Sequence, residues 1–244
     1  MRLREQTTAA APPKPPRLGI VAALRWEAQP LLSKRFQARR LSDNVYSLTL
    51  GGEQTVLAIG GIGAQNSFRA ARELTEKCQV QGLLTWGFAG GLAASLLPGD
   101  VVLADRVVEL STGEHFPCQG DLLPLRFVQR GALLCAHRVI GSAAEKQRLG
   151  EDWQAVAVDL ESAGVARAAA LAAVPFAAIK SITDDFRHSI SIDFQDCQSE
   201  HGELSAVRII QKGIQSWHGM RDLWALGLGA RLAARNLGAA LYLA

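Results

Sequence analysis

Leu83-Leu84-Thr85-Trp86-Gly87-Phe88-Ala89-Gly90-Gly91-Leu92 reads as a strand running into a glycine-rich bend. The run from Leu83 to Trp86 is nearly continuous in apolar character, which is the pattern of a strand covered on both faces. Three of the five residues from Gly87 to Gly91 lack a side chain. They make either a simple strand-to-loop bend or a place where backbone can approach a ligand closely. Leu97-Pro98-Gly99-Asp100-Val101-Val102 follows and opens the next apolar run, which makes the combined pattern more specific.

The same unit recurs outward in both directions. Short apolar runs bounded by Gly, Pro or Asp stand at Leu18 to Leu24, Val56 to Ile59, Val101 to Ala104, Ala155 to Val158 and Phe176 to Ile179. Helix-length segments separate some of them. Phe68, Ala71, Leu74 and Cys78 share one helical face, as do Val165, Ala169 and Ala172. The alternation predicts an α/β fold with a central mixed, largely parallel sheet flanked by helices, in a single domain over residues 18–244. Ser111 to Gln129 has weak periodicity and predicts loops with an edge strand, while Asp185 to Glu203 is polar and irregular. Ligands of open α/β sheets bind at the carboxyl ends of strands, which draws attention to Asp184, Asp185 and the residues after Leu24.

Bulk composition narrows the function classes. With 244 residues, 48% of them hydrophobic and 20% charged, the chain can bury a substantial core. A net charge of +3, with basic residues scattered, gives no stripe for a phosphate backbone, so nucleic acid is not an expected partner. Cys78, Cys118, Cys135 and Cys197 stand far apart without a C-x-x-C pair, which predicts reduced thiols in a cytoplasmic protein rather than a zinc site or disulfide framework. The histidines are equally scattered, and no metal is expected. Residues 1–17 hold four prolines and no apolar run, which predicts a disordered segment and not a signal peptide.

Four further constellations can carry chemistry, each beside a plain structural reading. Gly60-Gly61-Ile62-Gly63-Ala64-Gln65-Asn66 opens a helix. As a dinucleotide fingerprint it fails, since Asn66 occupies the third glycine position and Gln81 and Gly82 stand where an acid belongs. It serves either as a tight turn or as a place where backbone N–H groups such as that of Gly63 meet an anion or a ribose. Val156-Ala157-Val158-Asp159-Leu160-Glu161-Ser162 brings two acids to a helix start, where Glu161 either favours the helix dipole or accepts hydrogen bonds from two ribose hydroxyls. Ile179-Lys180-Ser181-Ile182-Thr183-Asp184-Asp185 places an Asp beyond a buried strand, as a cap or turn residue or as a general acid. Glu27, shortly after Leu24, is a solvated helix residue pairing with Arg25 or a site acid.

Taken in order, LGIVAALRWEA, GGIGAQN, GFAGGLAASLLPGDVV, AVDLESAGVA and VPFAAIKSITDD resemble the purine nucleoside phosphorylase and methylthioadenosine/S-adenosylhomocysteine nucleosidase superfamily, over nearly the whole stretch from Leu18 to about Phe186. The resemblance implies a nucleoside phosphorylase-like fold and cleavage of the N-glycosidic bond of a purine nucleoside. It implies that Glu27 activates the attacking water, that Glu161 binds the ribose hydroxyls and that Asp184 protonates purine N7. It places Leu160 beneath the sugar, Val139 and Ile140 along the base, and Gly63, Phe88, Ala89 and Gly90 around the substrate. No cofactor is implied, only inorganic phosphate as co-substrate if the reaction is phosphorolytic, with Arg25 as its candidate ligand. Two departures bear on that choice. Phe88 stands where the family often has Ser or Thr, and Thr85 where phosphorolytic members place arginine. Both favour hydrolysis.

Within the superfamily the chain most resembles the hopanoid-associated phosphorylase group, through Gly87 to Leu92, Ala144 to Lys146, Asp159 to Ser162 and the tail from Met220 to Ala244. That resemblance implies adenosylhopane as substrate, in which the purine nucleoside is lipid-linked, and a homo-oligomeric protein. The tail carries an apolar stripe, Leu226, Ala230, Ala233, Leu237 and Leu241, with Arg231 and Arg235 on another face. As an amphipathic helix it packs on its own domain or a twin subunit, or it makes peripheral contact with the inner membrane through residues 220–244. Gly227, Gly229 and Gly238 each weaken an isolated helix by about 1 kcal/mol, so it requires a partner surface.

Overall fold

The computed structural model describes residues 18–120, 122–123, 125, 128–189 and 217–242, with side chains of the last stretch described over 227–241. The expected disorder of residues 1–17 lies outside them. Ten strands among the described residues form one mixed sheet: β1 (Leu18–Ala22), β2 (Arg39–Arg40), β3 (Val45–Leu50), β4 (Glu53–Ile59), β5 (Leu83–Gly91), β6 (Val101–Glu109), β7 (His115–Pro117), β8 (Gln129–Cys135), β9 (Ala155–Asp159) and β10 (Phe176–Asp184). The helices are α1 (Arg25–Ala28), α2 (Ala64–Lys77), α3 (Ala143–Trp153), α4 (Ser162–Ala172) and α5 (Trp217–Tyr242).

β5 is the branch point of the sheet. It pairs in parallel with β1 over Leu83–Thr85 and with β10 from Leu83 to Gly90, and antiparallel with β9 at Gly90–Gly91. From β9 the path runs through β8, β6 and β10 back to β5, closing a ring, while β1, β4, β3 and β2 continue as an open arm. The parallel pairs are β1–β4, β1–β5, β5–β10, β6–β8 and β8–β9, all within the ring or next to it. The glycine-rich stretch is therefore strand and not bend, because β10 keeps pairing with it through Gly90. The expected edge strand within Ser111–Gln129 is β7, paired with β6.

Burial follows the chain's periodicity. Ala70, Ala71 and Leu74 of α2 are buried, with Phe68 and Cys78 packed partly against the same core. α4 is buried almost all round, apart from the half-buried Arg167 and the last turn, Ala172 included, which reaches solvent. The two helices touch through backbone: a Cβ on Gly164 would lie 2.0 Å from the carbonyl oxygen of Ala64, so glycine is required there. The partner surface of the C-terminal helix is the domain itself. Ala233, Leu237 and Leu241 of the expected stripe are buried, Ala230 is half-buried, and the Leu226 side chain lies outside the described residues. Asn236 donates to the Gly99 carbonyl at 2.7 Å, and Gly229 lies against the Thr183 carbonyl. The stripe is thus not free to enter a membrane, and no helix among the described residues is long and apolar enough to cross one.

Candidate active site

The topology leaves a gap beside β5. β1 parts from it after Thr85, and β9 joins it only at Gly90. Into this gap the chain inserts the carboxylate of Glu27. As the third residue of the single turn α1, Glu27 reaches back to the helix start, and its Oε2 accepts from the amides of Ala23 and Leu24, both at 2.8 Å. Its Oε1 accepts from the amide of Phe88 at 2.9 Å, replacing the strand partner that β5 lacks there. Trp86, fully buried, donates its indole N–H to the Glu27 carbonyl at 2.9 Å. A Cβ on Gly87 would come within 2.5 Å of Glu27 Oε1, so the glycine is what admits the carboxylate.

Glu161 arrives from the turn between β9 and α4. Its Oε1 accepts the Gly63 amide at 3.1 Å, the backbone donor expected of the GGIG stretch, which adopts φ 99° as the cap of α2. Glu161 does stand at the start of α4, as the dipole reading requires, but its side chain caps no amide there; Asp159 instead accepts from both the amide and the hydroxyl of Ser162. The turn role considered for Asp184 belongs in the same way to Asp185, which accepts from the amides of Arg187 and His188, both at 3.0 Å. Asp184 itself ends β10, takes the Thr183 hydroxyl on Oδ1 at 2.7 Å and pairs through Oδ2 with the ammonium of Lys146.

Glu27, Glu161 and Asp184 all line one cavity of about 280 Å³. Phe88, Ala89, Gly90, Val139, Ile140 and Leu160 share its wall, and Ala230 of α5 closes part of it. Of the expected site residues, Gly63 reaches the cavity only through its bond to Glu161, and Arg25 does not contribute to the wall. The Arg25 guanidinium donates to the Tyr46 hydroxyl at 3.0 Å instead. A larger groove, about 610 Å³ between Gln29–Ser33 and α5, has no acid among its described lining residues. Among the described residues no cluster of His, Cys, Asp and Glu is arranged to hold a metal ion.

Two lysines were not anticipated. Lys180, only 2% exposed, pairs with Asp159 at 2.8 Å and lies 3.8 Å from Glu161. Burial opposes its charge, but Asp159, Glu161 and Glu27 together outweigh that and hold the ammonium above the usual lysine range. Burial likewise raises Glu27 against the counteracting charge of Lys180 and the three backbone donors. For Glu161 burial comes first, countered by Lys180 and reinforced by Asp159 and Glu27, and the carboxyl is pushed up to about 7. A signal for Lys180 was present in the sequence: a lysine inside an apolar strand covered on both faces needs carboxylate partners. Lys146, on the first turns of α3, carried no such signal. Thr85 is fully buried away from the cavity wall, and its hydroxyl has no partner among the described residues.

The chain is similar to several nucleosidases. The 5'-methylthioadenosine/S-adenosylhomocysteine nucleosidase of Baumannia cicadellinicola is 27% identical over 68% of this chain and 85% of that protein, and its namesake from Buchnera aphidicola is 25% identical over 80% and 90%. Among solved structures, the enzyme of that name from Neisseria meningitidis, in complex with methylthio-immucillin-A, superposes with a TM-score of 0.68 over 91% of this chain and 95% of that one, at 18% identity. The Helicobacter pylori enzyme with butyl-thio-DADMe-Immucillin-A gives 0.67 over 94% and 99%, at 20% identity. Residues 17–124 and 120–210 match the Phosphorylase superfamily, and the chain belongs to that family.

Proposed function

We propose that the protein is a purine nucleosidase that hydrolyses the N-glycosidic bond of a 5′-substituted adenine nucleoside, of the methylthioadenosine/S-adenosylhomocysteine class. The observation that carries this reading is the convergence of Glu27, Glu161 and Asp184, from three separate segments, on one cavity. A carboxylate offers about four acceptor positions. Three on Glu27 are taken by backbone amides, which leaves one to orient a water and take its proton. Glu161 holds the ribose hydroxyls and favours the electron-poor sugar ring. Asp184 donates a proton to N7, so that the base leaves neutral, a transfer typically contributing about 10²–10⁴-fold.

Water suits this wall better than phosphate. Among the described residues the wall has one cation, Arg138, which is held by Glu145 at 2.6 Å, and Lys180 behind the wall is held by Asp159. Among these residues a phosphate would meet Glu27 without a free counter-charge. The second reading keeps the chemistry and makes adenosylhopane the substrate. The resemblance of residues 220–244 supports it, as does the presence of Ala230 from that helix in the cavity wall. We further infer a cytoplasmic homo-oligomer built from one domain over 18–244.

Mass spectrometry of the products from methylthioadenosine, S-adenosylhomocysteine and adenosylhopane, with and without phosphate, tests these readings. Free ribosyl sugar, formed at a rate independent of phosphate, is expected from one of the first two. Release from adenosylhopane alone would favour the second reading, and a sugar 1-phosphate would overturn hydrolysis. Asp184→Asn should lower adenine release by about 10²–10⁴-fold with the fold retained, and an unchanged rate would overturn the mechanism.

A further inference from the structure

Lys146 was given no role above, yet it is completely buried and touches the proposed acid. Its ammonium has three protons and three acceptors: Asp184 Oδ2, the Asp185 carbonyl at 3.1 Å and the His188 carbonyl at 2.9 Å. All three donors of the ammonium are thus used, and loss of any one would leave a buried acceptor without a donor. The other oxygen of Asp184 accepts the Thr183 hydroxyl. Both carboxylate oxygens therefore face donors, and Asp184 is poised as a carboxylate. A group meant to donate to N7 must carry a proton, and one placed on either oxygen here would displace a donor already bound to it.

We infer that Lys146 is a positioning residue that holds Asp184 as a carboxylate in the free protein, so that nucleoside binding itself draws in the proton later given to N7. This rests on the reading of Asp184 as the N7 acid. A purine N7 lone pair brought against the carboxylate is repelled until one proton from solvent binds Oδ1. The Thr183 hydroxyl then has a ready alternative acceptor, the Ala89 carbonyl at 3.3 Å. In cleavage the Oδ1–H bond breaks as the N7–H bond forms, and the C1′–N9 electron pair leaves with the base. Water adds to C1′ and Glu27 takes its proton, which later returns to solvent. One proton enters and one leaves, as hydrolysis requires. Asp184 ends as a carboxylate again paired with Lys146, ready for the next cycle.

The surrounding charges do not supply this function. Glu27, Arg138, Asp159 and Glu161 share the cavity wall, and Arg138 is occupied by Glu145 from α3. Lys180 belongs to the acids at the ribose end. Asp185 and His188 follow Asp184 in the loop, where Asp185 is engaged by backbone amides. From α5 the nearest described cation in sequence to Ala230 is Arg231, which is exposed.

Titration calorimetry on the intact protein, in buffers of differing ionisation enthalpy at pH 7, tests the inference with carbocyclic adenosine, which has the N7 lone pair but cannot form an oxocarbenium ion. Uptake of about one proton is expected, and none with its 7-deaza counterpart. No uptake with either ligand, or equal uptake with both, would overturn it. Lys146→Met and Lys146→Gln should each lower kcat for adenine release about tenfold with little change in KM. Gln can still donate to the loop carbonyls, so wild-type kcat in a folded Lys146→Gln protein would show that the charge is not needed, and would also overturn it. Asp184→Asn separates the two levels: full activity in that variant sinks the acid assignment, whereas an inactive Asp184→Asn beside a fully active Lys146→Gln sinks only the role of the lysine.

Discussion

The two ends of the cavity bury the same kind of charge pair in different proportions. At the ribose end Lys180 faces three acids, Asp159, Glu161 and Glu27; at the base end Lys146 faces one, Asp184. Burial pushes the Glu161 carboxyl up to about 7; Lys180 counters it, but Asp159 and Glu27 push the same way as burial, so this acid keeps its proton near neutrality. At the base end the count is even, one ammonium beside one carboxyl group. The difference teaches that the number of acids gathered around each buried lysine, more than residue type, sets the two ends apart.

The comparison breaks most readily through the lysines. Lys180→Met leaves several acids buried without a cation and should cost about 3–5 kcal/mol of stability. Lys146→Met strands only Asp184, whose side chain is 13% exposed at the cavity wall and can be hydrated, so its cost should be clearly smaller. Equal losses in chemical denaturation would end the distinction. Next in size is Gly87→Ala. The added Cβ would displace the Glu27 carboxylate, and a misplacement of that order costs roughly 10²-fold in rate. Adenine release at the wild-type rate would show that Glu27 need not sit where β5 opens.

The smallest effect is a pH dependence. The Glu161 carboxyl moves from 4.5 in the unfolded chain to about 7 in the folded one. Below the lower value both states hold the proton. As pH rises between the two values the unfolded chain releases it first, so stability falls. Glu161→Gln lacks this term, and the wild-type Tm should drop relative to that variant from pH 4.5 to 7. Parallel Tm curves would place the stored proton elsewhere.

Much of this arrangement was legible in the chain. Near-continuous apolar runs announced buried strands, and the acids at the ends of β9 and β10 stood where an α/β sheet keeps its site. The cap or turn reading for Asp184 was reasonable, but the neighbouring Asp185 does that work, and beside Glu161 it is Asp159 that accepts the first amide of α4. Arg25, a plausible anion ligand by position, bonds Tyr46 because α1 is a single turn and carries Glu27 into the cavity wall. Lys146 was illegible, since a lysine on a helix is ordinarily solvated and nothing local says that it will meet Asp184.

The sequence by itself determined the alternation of strands and helices, the glycines that let backbone and carboxylate approach, and the identity of the acids. These follow from periodicity, steric size and chemical type, which are properties of neighbouring residues. Only the tertiary structure decided that β5 would lose a strand partner exactly where Glu27 fills in, which side of α5 would be covered, and how many carboxylates each buried lysine would face. Those outcomes depend on distances between residues remote in the chain, and charge balance in a buried site is set by such distances alone.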